Sequence, residues 1–206
     1  MIDTTAARYG LPACLWVPIA AASVADIETY VGTISQSAKD PSTGRVNTIV
    51  VVPRQCGVPA QTIAPIWKSP LAQQAVDQLF PPRQVWVHVD YRGYRQAYSR
   101  SGMPPIPAGY FLDHVQNRKA IGLRNNSHPF LRLCPVHHSV NTSAGHAAGG
   151  EGMERQFAAT HHPTPGRNRI IYADPMDLTK MLDIPPGTQV LNGVRDTQRL
   201  FYPRAP

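Results

Sequence analysis

The sequence predicts an α+β fold, a mixed, loop-rich single domain with a strand–strand–helix unit near its middle. Three observations predict it. The 206 residues suffice for one buried core, and 42% of them are hydrophobic. The 21 prolines and 15 glycines are scattered along the chain, which divides it into short elements and excludes a bundle of long helices. Runs of β-branched residues at strand length alternate with short stretches whose apolar residues fall at helical spacing.

Taken in order, residues 11–25 (LPACLWVPIAAASVA) are apolar but too short to span a bilayer, and Pro12 and Pro18 interrupt them. Arg8 before the segment and small residues at its end imitate a secretory signal. Asp3 and the mid-segment Pro18 argue against a cleaved one, so a buried N-terminal element is expected. Ser23 to Ile34 is expected as one helix, capped by Ser23 or Asp26, with Val24, Ile27, Val31 and Ile34 at helical spacing. Gln36 to Gly44 is polar, contains Pro41, and reads as a loop. Val46 to Val52 reads as a buried strand ended by Pro53. Leu71, Ala75, Val76 and Leu79 give Pro70 to Phe80 one apolar helical face, which Pro81 and Pro82 terminate.

Val85 to Asp90 (VWVHVD) alternates as a half-buried strand does, with His88 facing either solvent or a site. Tyrosines and arginines then interleave over 91–100 (YRGYRQAYSR). Two readings fit: a nucleic-acid track of aromatic faces and guanidinium groups, or a strand pair whose tyrosines pack under arginine stems. Gly109 to Val115 (GYFLDHV) is a short apolar strand carrying Asp113 and His114 at its end. After a polar loop, Phe130 to Val136 (FLRLCPV) is a second apolar strand, broken by Pro135, which can pair antiparallel with the first. A helix is expected in the later part of Asn141 to Phe157, because Gly145, Gly149, Gly150 and Gly152 weaken the earlier part. Beyond a polar tract containing His161 and His162, Arg169 to Ala173 reads as a strand. Asp177 is then placed to cap a short helix with Leu178, Met181 and Leu182, and Asn192-Gly193 to make a hairpin turn. Residues 1–84 read as an N-terminal α/β layer, and 85–206 as the region holding the strand–strand–helix unit, with its core at 109–157.

Twenty Lys and Arg against 13 Asp and Glu give a formal charge of +7, and lysine occurs only at Lys39, Lys68, Lys119 and Lys180. A basic surface concentrates polyanions, and the planar arginine fork suits bidentate phosphate contacts. Arg92, Arg95, Arg100, Lys119 and Arg124 are the expected nucleic-acid contacts. The three cysteines, Cys14, Cys56 and Cys134, are too widely spaced for a disulfide framework or a paired zinc knuckle. Cys134 reads as a small buried hydrophobe, with half of a zinc site at Cys134 and His137 as the alternative.

Hydrolysis of a phosphodiester needs an activated water, charge stabilisation at phosphorus and help for the leaving oxygen; a neutral imidazole supplies the first and a divalent metal the others. Mg²⁺ keeps several waters and is often held by one or two protein oxygens. Asp113 and His114 at a strand end, with Asn141 beyond the second strand, are residues of those types. In a strand that continues through both, Asp113 and His114 point to opposite faces, so their joint use needs one turning residue.

LDHVQNR followed by FLRLCPVHHSVN resembles the HNH pattern. CPVHHSVNTSAG also resembles the non-specific DNA/RNA endonucleases, with Pro135 on the second strand and Asn141 opening the helix. Both belong to the His-Me finger superfamily, and the likeness spans residues 110–154 of 206. It implies a ββα-metal core and a metal-dependent endonuclease acting on DNA or RNA. It casts His114 as the general base, Asn141 as a metal ligand, and Asp113 as a second ligand in the HNH form. Glu154 or Glu151 would anchor metal-bound water, and Arg118 would stabilise the phosphate or its leaving group. Mg²⁺ is the implied ion; Zn²⁺ or Ni²⁺ takes its place if His137 or His138 substitutes for Asn141. The zinc-knuckle cysteine pairs of many HNH proteins are absent from this sequence.

By analogy with the use of small finger domains against bacterial competitors, the resemblance suggests a toxin. It would act in the bacterial cytoplasm or after delivery to a target cell, with an inhibitor or immunity protein as partner. The competing readings are a non-catalytic nucleic-acid-binding protein and a structural or assembly protein.

Overall fold

The computed structural model describes residues 17–54, 78–115, 127–139 and 169–173, with the single positions 177, 180 and 181. Seven strands and two seven-residue helices are complete within them. In chain order they are β1 (Pro18–Ala21), α1 (Val24–Tyr30), β2 (Gly32–Lys39), β3 (Val46–Pro53) and β4 (Gln84–His88). Next come α2 (Tyr94–Arg100), β5 (Tyr110–His114), β6 (Phe130–His137) and β7 (Ile170–Tyr172). The sheet runs β2-β3-β4-β6-β1-β7, β5 also pairs with β6, and all these pairings are antiparallel. Strands from both sides of residue 84 thus interleave: β3 lies beside β4, and β1 between β6 and β7.

The N-terminal apolar segment supplies β1, whose four residues are all buried between β6 and β7. The helix that follows is shorter than its periodicity predicts. Ser23 caps it, its Oγ accepting from Asp26 N at 3.1 Å, but the helix stops at Tyr30 and Ile34 belongs to β2. Gly32 ends it. A side chain there would run into the Val52 carbonyl oxygen and the Pro53 Cα, so the chain turns against β3 where only hydrogen fits.

The expected loop over Gln36–Gly44 is also corrected, since β2 continues through Lys39. Its polar residues are exposed on both faces, and pairing with the buried β3 overrides their weak strand propensity. The turn itself spans 40–44. Asp40 Oδ1 accepts from Ser42 N at 2.8 Å and Thr43 N at 3.2 Å, while Gly44 takes φ 70°. The Ser42 hydroxyl, which also donates to Oδ1, and after it these backbone N–H groups hold the Asp40 pKa at about 2.

β6 runs through Pro135 to His137, past the break that proline predicts. Val89 N donates to Pro129 O toward β4, whereas Val115 N donates to Arg132 O and His138 N to Gly109 O toward β5. Odd-numbered residues therefore turn their backbone toward β4, and even-numbered ones toward β5. Pro135 is odd, and the β4 ladder has already ended at Arg132, so no described strand needs the missing N–H.

Ile19, Ile27, Ile49, Trp86, Leu131 and Ile170, each at most 2% exposed, form the main core. Each such side chain contributes about 1.5–3 kcal/mol by leaving water. A second cluster of Val85, Val87, Leu112 and Leu133 is covered by Tyr98 of α2. Segment 91–100 is thus not a strand pair. It enters α2, with Ala97 and Tyr98 buried and Arg92, Arg95 and Arg100 exposed. No helix among the described residues is long and apolar enough to cross a membrane. Of the expected helix Pro70–Phe80, only its end is described, with residues 78 and 79 helical. The Asn192-Gly193 turn, His161-His162 and the helix expected within Asn141–Phe157 lie outside the described residues.

Candidate active site on the fifth and sixth strands

Gly109, at φ 84°, leads into β5, and the β5–β6 ladder pairs Tyr110 with His137 at one end and His114 with Leu133 at the other. Pairing continues past His114, because Val115 N donates to Arg132 O at 3.0 Å. The strand therefore runs straight through Asp113 and His114, and their side chains leave on opposite faces. Neither residue turns the chain.

His114 faces the second cluster. It is 6% exposed, and its ring stands edge-on to Tyr94, with centroids 4.8 Å apart. Asp113 faces the other side, opposite Cys134, and is half-buried; its Oδ1 accepts from His114 N at 2.9 Å. Cys134 is itself buried, as a small apolar strand residue would be.

His137 and His138 occupy the Tyr110 end of the ladder. Their rings lie 4.5 Å apart, and the His137 ring is 5.1 Å from Tyr110. His138 Nδ1 donates to Gly109 O at 3.0 Å, which places its proton on that nitrogen, and His137 Nδ1 is paired with Ser139 Oγ at 2.8 Å. Four strand positions, about 13 Å, separate this end from His114. The two histidines do not fit an ion held beside His114. Asp113, an oxygen donor of the right type, does not share the face of His114. Among the described residues no three His, Cys, Asp or Glu side chains gather in one place. Where β6 ends, the backbone at 138–139 is helical. Asn141, Arg118, Lys119, Arg124, Glu151 and Glu154 lie outside the described residues.

The neighbour that sequence reasoning missed is Tyr94. Arg95 sits with its guanidinium carbon 5.7 Å from the Tyr94 ring centroid, and Tyr94 in turn touches His114. An exposed cation, an aromatic ring and the buried imidazole are thus in sequence. The signal was the spacing of Tyr94, Ala97, Tyr98 and Ser101, which places these residues on one face of a helix.

His88 stands apart from this group. Its ring meets Phe130 edge-on at 5.5 Å, and its Nδ1 lies 3.6 Å from Asp90 Oδ2, which also binds Arg45 at 3.2 Å. Burial and, next, the Arg45 charge push the His88 pKa down, against the opposing pull of Asp90.

Comparison of the chain with protein-family models, curated proteins and solved structures gives no match. The functional reading rests on the residues themselves.

Proposed function

We propose that this chain is a divalent-metal-dependent endonuclease of the ββα-metal type, hydrolysing phosphodiester bonds of DNA or RNA with His114 as the general base. The observation that carries the reading is an antiparallel strand pair followed at once by helical backbone. The antiparallel β5–β6 pair ends in Asp113-His114, and helical backbone follows β6 directly at 138–139. The Arg95–Tyr94–His114 contacts support it, since they set exposed positive charge one aromatic ring away from the imidazole, as does the formal charge of +7. A neutral imidazole accepts a proton from water near neutral pH, which is the role assigned to His114. The ion's ligand in this reading is Asn141, outside the described residues. Use as an antagonistic toxin, held in check by an inhibitor protein, is the biological setting proposed with it.

The burial of His114 favours a second reading. In it His114 is a core residue packed on Tyr94, and Arg92, Arg95 and Arg100 bind nucleic acid without cleaving it. One experiment separates the two. Plasmid and RNA are incubated with the protein in EDTA, Mg²⁺, Mn²⁺, Ni²⁺ or Zn²⁺. Metal-dependent cleavage that disappears in a folded His114→Gln variant supports the nuclease. Salt-sensitive binding with no cleavage under any metal selects the binding protein.

A further inference from the structure

Arg132 sits in the middle of β6 on the face turned away from His114, and it is 1% exposed. Its Nη2 donates to Leu79 O at 2.7 Å, while its Nη1 has no hydrogen-bond partner among the described residues. Burial lowers its pKa to about 10, so the guanidinium keeps its charge at neutral pH. No carboxylate among the described residues forms an ion pair with it. A buried cation in this position is unfavourable unless an anion accompanies it.

The adjacent strand brings a second donor. Trp86 is the register partner of Arg132, which places Gln84, two positions along β4, on the same face. Gln84 is 2% exposed. Trp86 Nε1, which can only donate, points at Gln84 Oε1 at 3.2 Å and so settles which end of the amide is oxygen. The other end, Nε2, is a buried donor with no partner among the described residues. Two neighbouring strands thus present a charged and a neutral N–H donor on one buried face, without an acceptor for either among the described residues.

We propose that Arg132 and Gln84 form an interior oxyanion site, taking a carboxylate or phosphate group whose oxygens accept from Arg132 Nη1 and Gln84 Nε2. The pairing is charge-assisted on the Arg132 side and directional on the Gln84 side. An anion that binds the folded chain and not the unfolded one stabilises it by mass action. The site is on the opposite sheet face from His114 and stands or falls independently of the nuclease reading.

The test is thermal unfolding of the whole chain in sodium phosphate, acetate or chloride, each at or below about 10 mM and balanced to equal ionic strength, where general salting effects are small. Saturable rises in Tm of about 2–4 °C with phosphate or acetate, absent with chloride, are expected. Phosphate alone or acetate alone would identify the class of group. Gln84→Glu places a carboxylate beside Arg132 and leaves an oxygen for Trp86. This variant should be more stable in chloride and lose most of the anion response. Equal Tm values for the parent in all three salts would overturn the proposal, as would a full anion response in Gln84→Glu.

Discussion

At the scale of single residues, His114 holds two kinds of interaction that different substitutions separate. Its ring packs on Tyr94 within an apolar cluster, so His114→Ala removes that packing and should lower stability by about 1–3 kcal/mol. His114→Phe keeps a ring of similar shape and removes the imidazole nitrogens. With His114 as the base, the Phe variant should unfold within a few degrees of the parent and show no metal-dependent cleavage. Retained cleavage would remove His114 from the mechanism.

His88 gives a prediction with a definite sign. Its folded pKa is depressed, chiefly by burial, so between that value and the ordinary 6.5 the unfolded chain binds more protons than the folded one. The stability it contributes is complete above about pH 6.5 and is lost as pH falls through the folded value. Denaturant unfolding from pH 7.5 to 5 should show declining stability, with a smaller decline in His88→Gln. An identical slope in that variant would assign the decline to other groups.

At the scale of elements, the end of α1 and the outer face of α2 make separate predictions. Gly32→Ala forces a methyl group against the Val52 carbonyl and Pro53 backbone, neither of which is the movable end of a side chain. It should cost more than about 2 kcal/mol in chemical denaturation, whereas Ser23→Ala, which removes one cap bond, should cost about 1 kcal/mol. In α2 and its approach, Arg92, Arg95 and Arg100 are exposed while Ala97 and Tyr98 face inward. Changing the three arginines to Gln should weaken nucleic-acid binding across sequences. For duplex DNA, each phosphate left without its arginine should flatten the log–log salt dependence by about 0.9. An unchanged slope would exclude α2 from the interface. The helix is legible in the spacing of Tyr94, Ala97, Tyr98 and Ser101, whereas the interleaved arginines fit a strand pair as well.

At the scale of the whole molecule, one sheet gathers strands from both halves of the chain, and this arrangement places every described candidate residue. Val46–Pro53, Gln84–His88, Tyr110–His114 and Phe130–His137 are each legible as strands, because side-chain alternation and β-branching are properties of the local chain, although the alternation at Val85–Asp90 predicts a half-buried strand and β4 is buried from Gln84 to Val87. The basic, arginine-rich character and the short elements between prolines were equally determined by the sequence alone. Tertiary structure decided the rest. Pairing of β5 with β6 as far as Val115 sends Asp113 and His114 to opposite faces, and the register of the same ladder puts His137 and His138 about 13 Å from His114. β2 became a strand although its own residues favour a loop, and Arg132 became a core residue although arginine is ordinarily solvated. Register and burial belong to pairs of segments distant in sequence. No local pattern encodes them, and the geometry of a site inherits that dependence.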